Sequence, residues 1–283
     1  MKIEKILAGI GFEKDTERVL AYASFFSGAF NASLNLLHVI DYLITPPAYL
    51  LPYIEEEKRA AEKKFEMLKK QMAEDGIRVE TEVIVGRLQE SFDVTTKKIK
   101  SDMLVLGFES HMFRRSSSEK LIKGLQILML VVRGDKAESV RIGSLKIGRI
   151  LCPTDFSEIS GKALNAAKEM ADKFSAQLEV IYVFPEKIAE KMKTWDDKDR
   201  ALKELREKAK DRFEKFLGES GIEETGVIDE GEPYRRIVSF AKEKDIDLII
   251  MGARGLGLIQ GMLIGSVTDA VLKSSPCPVL VIH

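Results

Sequence analysis

The sequence predicts an α/β fold built twice: two tandem doubly wound domains, each a five-stranded parallel sheet with helices on both faces. Three observations predict it. Short apolar runs alternate with amphipathic helical stretches along the whole chain. The same series of runs comes twice, displaced by about 140 residues. The fourth run of each series is apolar throughout rather than alternating, as a strand covered on both faces must be.

The repeat is visible segment by segment. KILAGIGFEKDTERVLAYA at 5–23 matches RILCPTDFSEISGKALNAA at 149–167, a short apolar run, a turn and a helix. ASLNLLHV at 32–39 matches AQLEVIYV at 176–183, SDMLVLG at 101–107 matches IDLIIMG at 246–252, and LMLVVR at 128–133 matches PVLVIH at 278–283. We place one domain at 1–138 and the other at 146–283, with a polar, glycine-dotted linker at 134–148. In the second copy RILCP is the first strand. Ser160 to Ser175 is a helix whose Ala163, Ala166, Ala167, Met170, Ala171 and Phe174 share a face. LEVIYVF is the second strand. Asp199 to Ser220 is a long charged helix with the stripe Leu202, Leu205, Ala209, Phe213, Phe216 and Leu217, closed by Gly221. ETGVIDEG is a weaker third strand, Tyr234 to Lys244 a helix, DLIIMG the fourth strand, Val267 to Ser274 a helix and PVLVI the last strand. Alternating strands and helices imply right-handed crossovers and a parallel sheet, whose ligands sit beyond the carboxyl ends of the strands where the strand order reverses.

The bulk numbers exclude several classes of protein. Of 283 residues, 44 are Lys or Arg and 45 are Asp or Glu, so no basic excess marks a nucleic-acid binder. The two cysteines, Cys152 and Cys277, form no CxxC or Cys/His zinc spacing and read as small buried hydrophobes. The apolar run in MKIEKILAGIGF is short and interrupted, unlike a signal peptide, and no stretch approaches the roughly 20 apolar residues of a membrane span. A cytoplasmic protein without membrane partners is expected. The three histidines, His38, His111 and His283, pair with no evident nucleophile, so a hydrolase triad has no support. A P-loop is absent, and GLGLIQG at 255–261 has one residue too many for a dinucleotide fingerprint.

Two turns of the second copy carry chemistry. After the fourth strand come Met251, Gly252, Ala253, Arg254 and Gly255, then nine residues, then Gly265-Ser266-Val267-Thr268. Gly252 and Gly255 open backbone angles closed to other residues and let a ligand approach the main chain. Gly265 and Ser266 precede a helix whose unpaired N–H groups and dipole favour phosphate; Ser266 is read as its N-cap, and Arg254 as a cation for phosphates. After the first strand comes Pro153-Thr154-Asp155-Phe156-Ser157, with Asp155 placed to accept from ribose hydroxyls. Val183, ending the second strand, offers apolar contact to a base. Taken alone, the glycine-rich turn reads first as an ordinary surface loop, with Ser266 as nothing more than a cap; the strand before it and the helix after it favour the phosphate reading.

These residues resemble the universal stress protein family, whose ATP signature G-2x-G-9x-G-(S/T) is complete at Gly252, Gly255, Gly265 and Ser266. Val267-Thr268, the ending SPCPVLV, the turn at 153–157 and Gly231-Glu232-Pro233 share the resemblance, which covers both halves. It implies the adenine nucleotide alpha hydrolase-like fold and an adenine nucleotide in the second domain: ATP, or AMP or ADP. Asp155 and Val183 would hold ribose and adenine; Pro153, Thr154 and Met251 would line the base pocket; Gly252, Gly255, Gly265, Ser266, Val267 and Thr268 would wrap ribose and phosphates. Mg2+ would ride on the phosphates. Single-domain members of the family pair through the last strand, so the two halves are expected to pack as an intramolecular pseudo-dimer, with further pairing into a homodimer open. The expected role is nucleotide-gated stress response or signalling through protein partners that the sequence does not identify. Slow ATP hydrolysis or autophosphorylation, and a scaffold with a vestigial site, are the alternatives.

The first copy departs from the signature. Gly11 stands where Asp155 stands, Ser110 replaces the second glycine, and the loop to the next helix is about four residues shorter. The segment 111–120, with Arg114, Arg115 and three serines, reads as a solvated loop, so the first domain is expected to have lost the nucleotide.

Overall fold

The computed structural model describes residues 1–13, 15–42, 48–108, 117–133, 142–185, 195–222, 226–256 and 263–283. Two compact units divide the chain, one around residues 1–133 and one around 146–283.

The first unit runs β1 (Lys5–Gly9), α1 (Thr16–Phe30), β2 (Ser33–Asp41), α2 (Leu51–Glu74), β3 (Val79–Gly86), α3 (Leu88–Ile99), β4 (Met103–Gly107), α4 (Ser117–Ile122) and β5 (Leu128–Val132). Its strands are parallel in the order β3-β2-β1-β4-β5. The second unit runs β6 (Arg149–Thr154), α5 (Glu158–Phe174), β7 (Gln177–Pro185), α6 (Trp195–Glu219), β8 (Val227–Gly231), α7 (Pro233–Glu243), β9 (Leu248–Gly252), α8 (Ser266–Ser274) and β10 (Val279–Ile282). Its order is β8-β7-β6-β9-β10, again all parallel. The chain winds outward from β6 to β8, then returns to the other side of β6. The reversal lies between β6 and β9, and a crevice opens at their carboxyl ends.

The elements form where their apolar patterns require. Every residue of β4 and of β9 is buried, in keeping with sheets covered on both faces. On α5 the buried face is Ala163, Leu164, Ala166, Ala167, Met170 and Ala171, small enough for the helix to lie close on β6 and β9. The helix starts two residues before Ser160, because Ser157 is its N-cap and accepts the Ser160 amide at 3.2 Å. Likewise α7 starts at Pro233, whose missing N–H costs nothing in a first turn. Phe213 and Leu217 of α6 are buried, and a left-handed Gly221 follows the helix.

Both units share details that sequence similarity alone does not show. The Asp102 Oδ2 atom accepts the amides of Glu4 and Lys5 at 2.8 and 2.9 Å; Asp247 Oδ2 accepts those of Gly148 and Arg149 at 2.8 and 3.0 Å. Each clip ties the start of the fourth strand to the start of the first. Left-handed residues also recur in pairs: Phe12 and Phe156, Asn31 and Ser175, Lys100 and Asp245. Residues 134–141 of the linker lie outside the described residues.

Candidate functional site

The turn after β6 is held by its own side chains. Thr154 Oγ1 accepts the Phe156 amide at 3.1 Å and is 3.1 Å from Ser160 Oγ, whose hydroxyl donates to the Ser157 carbonyl at 2.9 Å. Phe156 has φ of 66°, a conformation that a bulky residue adopts only when its surroundings impose it. Its ring supplies that constraint, lying 4.4 Å from Tyr182 and 5.7 Å from Phe216 between centroids. The twist turns the chain so that Asp155 lines the crevice. Asp155 Oδ1 accepts the Ser157 amide at 3.1 Å, and Oδ2 crosses to the turn after β9 to accept the Leu256 amide at 2.7 Å.

The turn after β9 is fastened at three further points. The Ala253 amide donates to the Ile282 carbonyl at 2.6 Å, the Gly265 amide to the Ala253 carbonyl at 2.8 Å, and the Thr268 hydroxyl to the Gly252 carbonyl at 2.9 Å. Gly252 and Gly255 are needed here for a different reason than expected. Neither has positive φ; what excludes a side chain is close approach. A Cβ on Gly252 would stand 2.7 Å from Ile159 Cγ2, and one on Gly255 would overlap Asp155 Oδ2. The helix start also differs from the expectation. Gly265 is the N-cap of α8 and Ser266 the first helical residue, so the exposed Ser266 hydroxyl caps nothing. Buried Thr268 has its hydroxyl proton committed to the staple on Gly252.

These two turns, the end of β7 and the start of α8 enclose a cavity of about 470 Å3. The structure brings all twelve nominated residues to its wall: Pro153, Thr154, Asp155, Val183, Met251, Gly252, Arg254, Gly255, Gly265, Ser266, Val267 and Thr268. Its lining includes the apolar side chains of Val183, Met251, Ile181 and Ile237. It also includes the start of α8, whose first-turn amides have no partner within the helix and carry its positive dipole end.

Sequence reasoning missed several wall residues. Phe156, Tyr182 and Arg212 complete the side of Asp155, and the Arg212 guanidinium lies 4.8 Å above the Phe156 ring. Nothing in the charged stretch of α6 singles out Arg212. Its neighbour Phe213, a member of the apolar stripe, was the available signal. Burial raises the Tyr182 phenol above its ordinary range; the Arg212 cation pulls the other way and the Asp155 carboxylate pushes further up.

Other candidates are settled by burial. Cys152 is fully buried, which pushes its thiol up to about 12, and Cys277 is buried beside Ser275. Among the described residues no group of His, Cys, Asp and Glu could hold a metal ion, and no helix is long and apolar enough to cross a membrane. His38 packs on Phe12 with its Nδ1 2.7 Å from the Ile10 carbonyl. Burial and the Arg254 charge lower the His283 imidazole. His111, Arg114, Arg115 and Ser116 lie outside the described residues.

The first unit keeps the frame of this site but not its chemistry. Phe12 repeats the left-handed turn and packs on His38 and Phe65, while Lys64 takes the place over the ring that Arg212 holds in the second unit. Gly11 removes the carboxylate from the position of Asp155. Asp15, at the position of Ile159, puts another one against Gly107, filling the space a Cβ there would need.

A profile of the universal stress protein family matches residues 2–133 and 146–283. A universal stress protein of Methanocaldococcus jannaschii is 35% identical over 148 residues, 50% of this chain and 86% of its own. One from Bacillus subtilis is 31% identical over 145 residues, 48% of this chain and 98% of its own. Among solved structures, a universal stress protein from Archaeoglobus fulgidus covers 100% of this chain and 97% of its own, with a TM-score of 0.73 at 22% identity, a likeness of fold.

Proposed function

The chain belongs to the universal stress protein family, and on that premise we propose that its second unit binds an adenine nucleotide, ATP foremost, as an occupancy signal read by protein partners in a cytoplasmic stress response. The observation that carries this reading is the convergence of three chemically distinct sets of groups on one cavity. Val183, Ile181, Met251 and Ile237 supply an apolar slot of the kind a purine fills. Asp155 supplies a carboxylate for ribose hydroxyls. The glycine turn and the start of α8 supply main-chain amides for phosphates, with Arg254 alongside. A volume of about 470 Å3 falls within the usual range for small-molecule sites. Mg2+ would arrive on the phosphates, as it does wherever it is held mainly by substrate oxygens and water.

The first unit is proposed to be silent, because Gly11 offers no ribose acceptor and Asp15 brings negative charge to the end of β4. Calorimetric titration of the nucleotide-free chain with Mg-ATP tests both statements. One site per chain is expected, weakened about tenfold or more when Gly255 or Asp155 is replaced by alanine. Two sites would refute the silent first unit, and none would refute the nucleotide reading. Steady turnover in the same sample would move the protein into the enzyme class.

A further inference from the structure

The Asp155 carboxylate does two things that a ribose acceptor alone need not do. Oδ2 takes the Leu256 amide from the neighbouring turn at 2.7 Å, and the same oxygen occupies the space that any side chain at position 255 would enter. The two turns are therefore fitted to each other through one carboxylate and one missing Cβ. An ionised carboxylate has about four acceptor positions. Ser157 and Leu256 use two, leaving two for ribose hydroxyls, so the clasp and the ribose contact are compatible.

The chain carries its own comparison. In the first half Gly11 replaces Asp155 and Ser110 replaces Gly255, whereas Gly107 keeps the place of Gly252. Both members of the matched pair are changed while the neighbouring glycine is kept. That is the pattern expected if the second glycine serves the carboxylate rather than the ligand alone.

We infer that Asp155 is a positioning residue for the phosphate end of the cavity. By holding the Leu256 amide it sets the glycine turn against the start of α8, and so it couples the ribose and phosphate ends of one ligand. This rests on the nucleotide reading above. The class of ligand that benefits is a nucleoside polyphosphate, which engages both ends at once.

The test separates the two roles with a ligand that has no ribose hydroxyls to offer. Wild type, Asp155→Ala and Asp155→Asn are titrated calorimetrically with Mg-ATP, with Mg-2′,3′-dideoxy-ATP and with 2′,3′-dideoxyadenosine. Asp155→Ala is expected to weaken dideoxy-ATP by about tenfold or more, the loss of one charge-assisted hydrogen bond. Asp155→Asn should recover part of that loss, since its carbonyl oxygen can still take the Leu256 amide. Dideoxyadenosine should bind all three proteins alike. Undiminished dideoxy-ATP binding by Asp155→Ala would overturn the inference and leave Asp155 a ribose acceptor only. An equal loss for dideoxyadenosine would also overturn it, as general damage to the cavity. A wild type that binds neither nucleotide sinks the underlying reading itself.

Discussion

At the scale of single residues, the site depends on what is missing as much as on what is present. Gly255→Ala adds one methyl, and the structure gives it no room beside Asp155. The carboxylate must swing away and release Leu256. We expect nucleotide affinity to fall about tenfold or more, and stability by about 1 kcal/mol, measured by calorimetry and urea unfolding. Cys152 makes a prediction about pH. Burial raises its folded pKa to about 12, so the folded state holds a proton that the unfolded state gives up at lower pH. Its contribution is fully present at neutral pH and is lost as pH rises from about 9 toward 12. A Cys152→Ser chain should lack that alkaline decline, read from unfolding midpoints across the range. Residue types and spacing nominated Asp155, Val183, Gly252, Arg254, Gly255, Gly265 and Ser266, the family resemblance added the other five, and all twelve line one cavity. The Asp155–Leu256 bond was not legible, because its partners are 101 residues apart and nothing local marks either. Nor was the left-handed Phe156, a conformation that its own sequence context disfavours and its ring packing imposes.

At the scale of elements, the alternation of apolar runs sufficed for every strand and long helix of the second unit, because parallel strands buried on both faces leave short, unmistakable runs such as LIIMG. Starts were less legible. Ser157 and Ser160 are both plausible caps by type, and only the backbone decides; Ser157 takes the role and Ser160 turns its hydroxyl to the Ser157 carbonyl. Ser157→Ala should therefore cost about 1 kcal/mol of stability, visible in thermal or urea unfolding, whereas most of the frame around β6 stays intact. On α8 the same ambiguity went the other way. Gly265 caps and Ser266 is left with an exposed hydroxyl, which suits a ligand contact better than a structural one.

At the scale of the whole molecule, duplication separates the frame from the candidate site. The paired left-handed residues and the twin aspartate clips are kept in both halves, whereas the carboxylate of Asp155 and the glycine fitted to it at 255 are kept in one. The clips also bear on the time course of folding. Asp102 meets Glu4 across 98 positions of chain, and Asp247 meets Gly148 across 99. Closing so long a segment costs entropy before any contact rewards it, and parallel pairing offers no short hairpin from which to start. The amides of Glu4, Lys5, Gly148 and Arg149 should thus gain protection late in refolding, after those inside α1 and α5, in a pulse-labelled hydrogen-exchange experiment. A molecule assembled in that order spends its early life with the central strand of each half open along one side, so the slow step of its folding would be the docking of β4 and β9.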